Sequence, residues 1–318
     1  MNGSAELIIE KINSAKKIAV FCHFRPDGDA LGAGLAVYLM LRNAGKQVCM
    51  CCEDEPPEKF RYIPAVNEVK TQLPDGEYDC FISVDCADIN RLGIFQIRYS
   101  NFKGVTINID HHISNIGYAK YNYVIDCPAS CEIITGLFIK AGWQMTEEIA
   151  YVLMLGLITD SGNFTHRDVT AKTYETAAYL RGYGADITEI NYKMYSSQTK
   201  NRALLYGRVM NKMRFALNDR LVFLIVSAED MKATGTDKSA TEGFVDFPLT
   251  IDGVEVSISL MEFKNNQYKA SLRSKSANVN AVASVFGGGG HILASGCMVF
   301  GSIEEVIEKL TYAVFQNL

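Results

Sequence analysis

The chain has 318 residues, which predicts two domains because single cores rarely grow beyond roughly 250–300 residues. Hydrophobic residues make up 48% and charged residues 21%, both ordinary for a soluble globular protein. The net charge of -5 argues against a protein that binds long duplex nucleic acid, since such proteins carry a basic surface. A short anionic ligand stays compatible with this charge, because a metal site with a few local cations can hold several phosphates.

The nine cysteines resemble neither a secreted disulfide framework nor a zinc ribbon, and they suit a reducing compartment. The N-terminal stretch is charged and has no apolar segment of the signal-peptide kind. The apolar runs are too short and too interrupted to span a bilayer. We therefore expect a cytoplasmic protein without a membrane partner.

The first half of the chain alternates apolar strands with helical patterns. Strands are predicted at 17–23, 47–53, 80–86 and 105–112. Helices are predicted at 30–45, 131–142 and 147–160. This alternation is typical of an α/β fold with a doubly wound, mostly parallel sheet and helices on both faces.

The pattern changes near residue 190. A polar, helix-compatible stretch is followed by three strand-like segments, RLVFLIVS, GVEVSISLMEF and YKASLRS, and by a final helix. We predict a first domain over 1–190, a helical linker over 191–215 and a smaller α/β domain over 216–318.

Polar side chains follow three of the predicted strands. His23, Asp85 and the run Asp110-His111-His112 each come at the end of an apolar segment. Ligands of parallel sheets bind beyond the carboxyl ends of the strands, so we expect these side chains to share one crevice.

The first motif, HFRPDGDALG, places His23, Asp27 and Asp29 on a turn from strand to helix. Hard carboxylates with one imidazole suit Mn²⁺ or Mg²⁺ better than a metal that prefers thiolates. The alternative, which we weigh equally for the isolated motif, is a turn whose aspartates cap the following helix.

Two single acids extend this set. Asp85 is costly to bury unless it meets a cation, a donor or a metal, although a helix N-cap is the alternative and Asp88 an equal candidate for it. Asp160 ends an apolar helix, where a carboxylate opposes the helix dipole unless a cation lies nearby. An ordinary helix terminus is its alternative.

Ser130 and Glu132 stand at a predicted helix start, where contact with the site and N-capping explain them equally well.

The run Asp110-His111-His112 offers two imidazoles beside an acid. One imidazole can ligate a metal with Asp110 as its orienting partner, and the other can face a phosphate or transfer a proton. The alternative is a polar cluster in a loop. Together the four motifs supply ligands for two divalent metals, whose bridging hydroxide would attack phosphorus while the metals stabilise the developing charge.

HFRPDGDALG, VDCAD, DHH and TDSGNF, in this order, resemble the motifs of the DHH phosphoesterase superfamily, and GGGGHILASG is similar to the glycine-rich signature of its DHHA1 domain. The chain looks most like the compact oligoribonucleases that also dephosphorylate 3'-phosphoadenosine 5'-phosphate (pAp), some of which act on linear dinucleotides such as pApA. The resemblance implies a catalytic first domain and a substrate-binding second domain. It also implies two divalent ions, Mn²⁺ or alternatively Mg²⁺, and it leaves room for a homodimer.

The resemblance implies a role for each site residue. One ion would be held by His23, Asp27 and Asp85. The other would be held by Asp29, Asp85, His111 and Asp160, with Asp85 bridging. His112 would lie near the scissile phosphate, and we name His112, Asp85 and Asp110 as the catalytic residues.

A fifth group lies in the second domain and consists of Arg273 with the run GGGGH at 287–291. Backbone N–H groups of a glycine run can form an anion-binding concavity, and an arginine can hold a phosphate through two parallel hydrogen bonds. We predict Arg273, Gly288, Gly289, Gly290 and His291 as substrate-binding residues, against the alternative of a tight loop before a strand.

The expected function is hydrolysis of short nucleotidic phosphoesters: short RNA, linear dinucleotides or pAp. An inorganic pyrophosphatase of the related DHH class is one alternative, and the GGGGH run argues against it. A non-catalytic nucleotide-binding module is another, and the complete ligand set argues against that.

Overall fold

A computed structural model describes residues 3–264 and 266–318. The chain forms two compact units, one ending at Ser197 and the other spanning Gln198–Leu318. The strands are β1 Lys17–Phe21, β2 Gln47–Cys51, β3 Cys80–Val84, β4 Val105–Asp110, β5 Tyr121–Val124, β6 Arg214–Ala216, β7 Leu221–Val226, β8 Val256–Lys264, β9 Gln267–Ser274, β10 Gly289–His291 and β11 Ala294–Phe300. The helices are α1 Ala5–Ser14, α2 Gly28–Asn43, α3 Gln96–Ser100, α4 Ser130–Ala141, α5 Glu147–Asp160, α6 Ala171–Gly182, α7 Ile187–Asn191, α8 Lys200–Met210, α9 Ala228–Thr234, α10 Val279–Val285 and α11 Ile303–Phe315.

The first unit is built on a parallel sheet with strand order β2-β1-β3-β4-β5. One face, which carries Ile18 and Val20, packs on α2 and α4, and α5 packs on those two helices. The other face, with Ala19 and Phe21, is covered by an aromatic cluster that includes Phe95 and Tyr99. The predicted α/β fold is therefore confirmed. Strand order reverses between β1 and β3, which is where such sheets open a ligand crevice.

Glycines bring the start of α2 against the end of α5. A Cβ atom on Gly28 would lie 2.2 Å from the Oγ1 of Thr159, and one on Gly32 would lie 2.4 Å from the carbonyl oxygen of Val152. Any larger residue at these two positions would push the helices apart. This close packing sets the acids of the first motif beside Asp160, the last residue of α5.

The second unit is built on a mixed sheet with strand order β10-β11-β9-β8-β7-β6, in which only β7 and β8 run parallel among the described strands. Helices α10 and α11 pack on one face, and α8 packs on the other with Phe244. The stretch predicted as a linker, 191–215, contains a π-helical turn at Tyr192–Ser196 and helix α8. The catalytic, linking and substrate-binding roles of these parts remain predictions. No described helix is long and apolar enough to cross a membrane.

Candidate metal centre

Three strand ends of the first sheet carry the predicted ligands to one edge. His23 follows β1, Asp85 follows β3 directly, and His111 follows β4 directly. Asp85 has a left-handed backbone with a φ of 51°, and its N–H is donated to the carbonyl oxygen of Ile109 at 3.0 Å. Such a conformation is unfavourable for a residue with a Cβ atom and persists only where the surroundings enforce it. The sheet thus turns the buried Asp85 carboxylate into the crevice.

The first ligand set consists of His23, Asp27 and Asp85, whose ligand atoms lie within 4.8 Å of one another. The Nε2 of His23 is 3.6 Å from the Oδ2 of Asp27 and 3.4 Å from the Oδ2 of Asp85. The other oxygen of Asp27 accepts the N–H of Ala30 at 3.0 Å and caps α2. Asp27 therefore caps the helix with one oxygen and keeps the other beside His23, so capping does not exclude the predicted ligand role.

The second set consists of Asp29, His111 and Asp160, again within 4.8 Å. The Nε2 of His111 is 3.2 Å from the Oδ2 of Asp160 and 3.4 Å from the Oδ1 of Asp85. Asp85 therefore directs one oxygen toward His23 and the other toward His111. This is the arrangement required of a carboxylate that bridges two cations.

The N-terminus of α4 fixes the buried acids. The N–H groups of Ser130 and Cys131 donate to the two oxygens of Asp29 at 2.6 and 3.0 Å. The Oγ of Ser130 donates to the Oδ1 of Asp85 at 3.1 Å. The positive end of the helix dipole stabilises carboxylates at this position. Ser130 does contact the site, whereas Glu132 is buried with its Oε2 lacking a partner among the described residues.

The three imidazoles are oriented differently. The Nδ1 atoms of His23 and His111 lie 2.8 and 2.9 Å from the carbonyl oxygens of Phe24 and Cys127, which leaves both Nε2 atoms free to face a metal. His112 instead places its Nδ1 2.8 Å from the Oδ1 of Asp110.

The pairing of Asp110 corrects one prediction. The sequence predicted that Asp110 orients the metal-binding imidazole. In the structure Asp110 is paired with His112, and His111 is oriented by the carbonyl of Cys127. Consecutive side chains at a strand end point in opposite directions, so Asp110 and His111 face apart. Asn115, which the sequence did not indicate, donates its Nδ2 hydrogen to the second oxygen of Asp110 at 2.6 Å. Both carboxylate oxygens of Asp110 are thereby engaged, one with the His112 ring and the other with Asn115.

Charges in the cluster are strongly coupled. Burial opposes protonation of His23, but Asp27 and Asp85 outweigh it and raise the pKa of His23 to about 10. Burial is likewise outweighed at His111, chiefly by Asp85, and the pKa of His111 rises to about 10. Burial favours the neutral form of Asp85, yet the hydrogen bonds with His111 and His23 hold its pKa well below the ordinary range.

Two acids remain crowded by negative charge. Burial and the charge of Asp85 raise the pKa of Asp160 to about 6. Burial and the charges of Asp85 and Asp160 raise the pKa of Asp29 well above its ordinary value. Crowded carboxylates grouped around two imidazole Nε2 atoms form a donor set that divalent cations fit, because the cations would relieve the repulsion.

Comparison with known proteins agrees with this geometry. Residues 17–157 match the DHH family, N-terminal domain, and residues 208–317 match the DHHA1 domain. The bifunctional oligoribonuclease and PAP phosphatase NrnA of Thermus thermophilus is 28% identical over 308 residues, covering 95% of this chain and 90% of that protein. The probable NrnA of Streptococcus mutans is 30% identical over 300 residues, which cover 94% of each chain. This chain belongs to the DHH–DHHA1 phosphoesterases.

A solved structure supports the same relationship. The crystal structure of an exopolyphosphatase-related protein from Bacteroides fragilis matches with a TM-score of 0.86 and 26% identity, covering 98% of this chain and 95% of that chain. The similarity therefore spans both the DHH part and the DHHA1 part of the chain.

The DHHA1 domain carries Arg273 at the wall of a cavity of about 290 Å³. Lys238 and Lys269 line the same cavity together with the hydroxyl-bearing Ser259 and Ser271. The Nε of Arg273 lies 3.4 Å from an oxygen of the exposed Asp246. Glu242 is the acid among the residues that line the cavity, so the three cations give its wall a positive balance, although the chain as a whole is acidic. The sequence indicated Arg273 but neither lysine, since only the folded sheet brings Lys238 and Lys269 to the same cavity.

The glycine run forms a hairpin with β11. The N–H groups of Gly287 and Gly288 are donated to the carbonyl oxygens of Ser284 and Ala283 at the end of α10. A Cβ atom on Gly288 would lie 2.2 Å from the carbonyl oxygen of Gly296, whereas one on Gly289 would meet nothing closer than 3.8 Å. The alternative of a tight loop before a strand therefore holds at Gly288, where a side chain would not fit.

Part of the glycine run lies on the edge strand β10, where its residues are exposed to solvent. His291 is exposed, and it pairs with Ala294, which pairs in turn with Arg273 on the next strand. Directly paired residues point to the same face of a sheet, so His291 and Arg273 share one face. The substrate-binding role of Arg273, Gly288, Gly289, Gly290 and His291 stays a proposal.

Proposed function

We propose that this DHH–DHHA1 enzyme hydrolyses short nucleotidic phosphoesters at a centre of two divalent metal ions. The substrate class comprises short oligoribonucleotides, linear dinucleotides such as pApA, and the 3'-phosphate of pAp. The observation that carries the proposal is Asp85, whose two oxygens face two separate sets of ligands. The names of the similar proteins, oligoribonuclease and PAP phosphatase, support the same substrate class.

The donor set favours hard divalent cations. His23, Asp27 and Asp85 would hold one ion, and Asp29, Asp85, His111 and Asp160 the other. Oxygen and imidazole donors without a thiolate suit Mn²⁺, and Mg²⁺ is the alternative. When bound, the ions would supply an activated water and neutralise charge on the phosphoryl oxygens.

His112 would act on the leaving group. Its ring is only partly buried, and the carboxylate of Asp110 fixes its Nδ1. A protonated His112 would donate from its Nε2 to the phosphate or to the departing oxygen. Asp110 would hold the ring in position and stabilise its positive charge, as carboxylates do for catalytic imidazoles.

The DHHA1 domain would bind the rest of the substrate. Lys238, Lys269 and Arg273 supply positive charge for a phosphate that is not cleaved. A cavity of about 290 Å³ is of a size to take a phosphate with part of a nucleotide, which is one end of a short substrate. Short substrates are therefore expected to react faster than long ones.

A substrate panel with Mn²⁺ tests the proposal. Purified protein is incubated with pAp, pApA, RNA of increasing length and pyrophosphate, and the released nucleotide or phosphate is measured. We expect turnover of pAp or of the shortest nucleotides, a decline with RNA length, and little release from pyrophosphate. Preferential cleavage of pyrophosphate, or no cleavage of any phosphoester by Mn²⁺-loaded protein, would overturn it.

A further inference from the structure

A π-helical turn lies at the end of the first unit. Helix α7 is followed directly by Tyr192–Ser196, and the N–H of Ser197 is donated to the carbonyl oxygen of Tyr192 at 2.6 Å. Wide turns of this kind are uncommon and occur often at functional sites. The turn presents Tyr192 and Tyr195, of which only Tyr195 forms a side-chain hydrogen bond among the described residues.

The Tyr195 hydroxyl reaches the last turn of α5. It donates to the carbonyl oxygen of Ile158 at 3.4 Å, two residues before Asp160. Carbonyl groups at helix C-termini lack partners within the helix, so outside donors determine how the last turn is held. The same carbonyl accepts the N–H of Asn163 at 2.7 Å and the hydroxyl of Ser161 at 3.5 Å, both from the turn that follows Asp160. Tyr195 thus joins Ser161 and Asn163 in holding the segment that displays Asp160, and it is the donor from outside that segment.

The end of α5 also connects to the second ligand set. The Oδ2 of Asp160 is in turn 3.2 Å from the Nε2 of His111. A contiguous path therefore runs from Tyr195 through the end of α5 to the second ligand set.

We propose that Tyr195 is a positioning residue for the second metal ion. Its hydroxyl holds the last turn of α5 so that the carboxylate of Asp160 faces His111. This inference rests on the metal centre proposed above, and it extends that centre to a residue outside the four motifs. Loss of the hydroxyl would loosen Asp160 without removing a ligand.

The test replaces Tyr195 with phenylalanine, which deletes the hydroxyl and keeps the ring. Tyr192→Phe is the matched control, because Tyr192 stands in the same turn, is 61% exposed and forms no side-chain hydrogen bond among the described residues. Binding of Mn²⁺ to each substrate-free protein is followed by titration calorimetry and by the electron paramagnetic resonance of the free ion. Values of kcat and KM are then measured with pAp.

For Tyr195→Phe we expect one Mn²⁺ to bind about tenfold more weakly, as is usual when a group that supports a ligand is lost. At limiting Mn²⁺ the value of kcat should fall and recover at high Mn²⁺, with KM for pAp unchanged. Tyr192→Phe should match the wild type, and both variants should unfold at the wild-type temperature. Asp160→Asn, which removes a proposed ligand, should no longer bind the second Mn²⁺.

Two results would overturn the inference. If the wild type and Asp160→Asn differ in Mn²⁺ binding but Tyr195→Phe stays within twofold of Tyr192→Phe, the positioning role is wrong while the metal centre stands. If the wild type binds no Mn²⁺, the proposed metal centre fails and the role of Tyr195 fails with it.

Discussion

The metal cluster of the DHH part and the anion cavity of the DHHA1 part are built in opposite ways. In the first, Asp29 and Asp85 are almost fully buried, and both accept hydrogen bonds from Ser130. In the second, Arg273 is partly exposed at the cavity wall, and the exposed His291 lies on the same face of the sheet without lining the cavity. Buried, mutually fixed groups suit a reaction centre, whereas exposed cations suit reversible binding of a substrate. We therefore expect mutations in the cluster to lower kcat and mutations at the cavity to raise KM.

The largest effect is expected for Asp85→Asn. The amide keeps the size of the side chain but removes the charge that both ligand sets share, so turnover of pAp should fall by on the order of 10³-fold or more. Circular dichroism should show an intact fold. Asp88→Asn is the control, since Asp88 only caps the following 3-10 helix and should leave kcat unchanged. Near-normal activity of Asp85→Asn with Mn²⁺ would contradict the bridging role.

A smaller loss is expected for His112→Asn. Removal of a proton donor typically costs about 10²-fold in kcat, while both Mn²⁺ ions should still bind because His112 is not among the proposed ligands. The same change at His111 should weaken Mn²⁺ binding itself. Equal Mn²⁺ affinities in the two variants would show that the two imidazoles have not been correctly distinguished.

At the cavity, Arg273→Gln should raise KM for pAp about tenfold, because a charge-assisted hydrogen bond contributes about 1.5 kcal/mol. The value of kcat should stay near that of the wild type. Hydrolysis of bis-p-nitrophenyl phosphate, which offers no second phosphate, should be unaffected. Lys275→Gln, an exposed cation outside the cavity, is the control. A fall in kcat with an unchanged KM would contradict the assignment of the cavity to substrate binding.

A further effect, outside catalysis, is expected in the pH dependence of stability. Since the folded pKa of His23 and of His111 is raised to about 10, their ion pairs stabilise the metal-free protein fully below pH 6.5, and this stability is lost as the pH rises toward 10. Differential scanning fluorimetry in EDTA should show a falling Tm over this range. In His23→Gln the Tm should fall less steeply with pH. Added Mn²⁺ should also reduce the fall in Tm, because metals bind neutral imidazoles. An identical slope in His23→Gln would exclude this cause.

Much of the metal centre follows from sequence. His23, Asp85 and His111 stand out because polar side chains directly after apolar strands must meet at one edge of a parallel sheet. Their supporting contacts could not be predicted in this way. The N–H of Ser130 reaches Asp29 from 101 residues away, and the carbonyl of Cys127 that orients His111 leaves no trace in the residue type.

Parts of the fold also escape sequence patterns. Helix α6 was not predicted, because its buried residues include Thr173 and Thr176 and its apolar pattern is weak. Strand β5 is four residues long and only partly buried, so its pairing with β4 and not its composition defines it. The hairpin role of Gly288 depends on contact with Gly296, which residue spacing alone does not reveal.

The most direct test of a two-metal centre is the number of Mn²⁺ ions bound per chain, measured by equilibrium dialysis with atomic emission and paired with kcat on the same samples. We predict two ions per wild-type chain, activity that appears only with the second ion, and loss of both the second ion and turnover in Asp85→Asn. Full activity with one ion per chain, or two ions retained by Asp85→Asn, would contradict a centre bridged by Asp85.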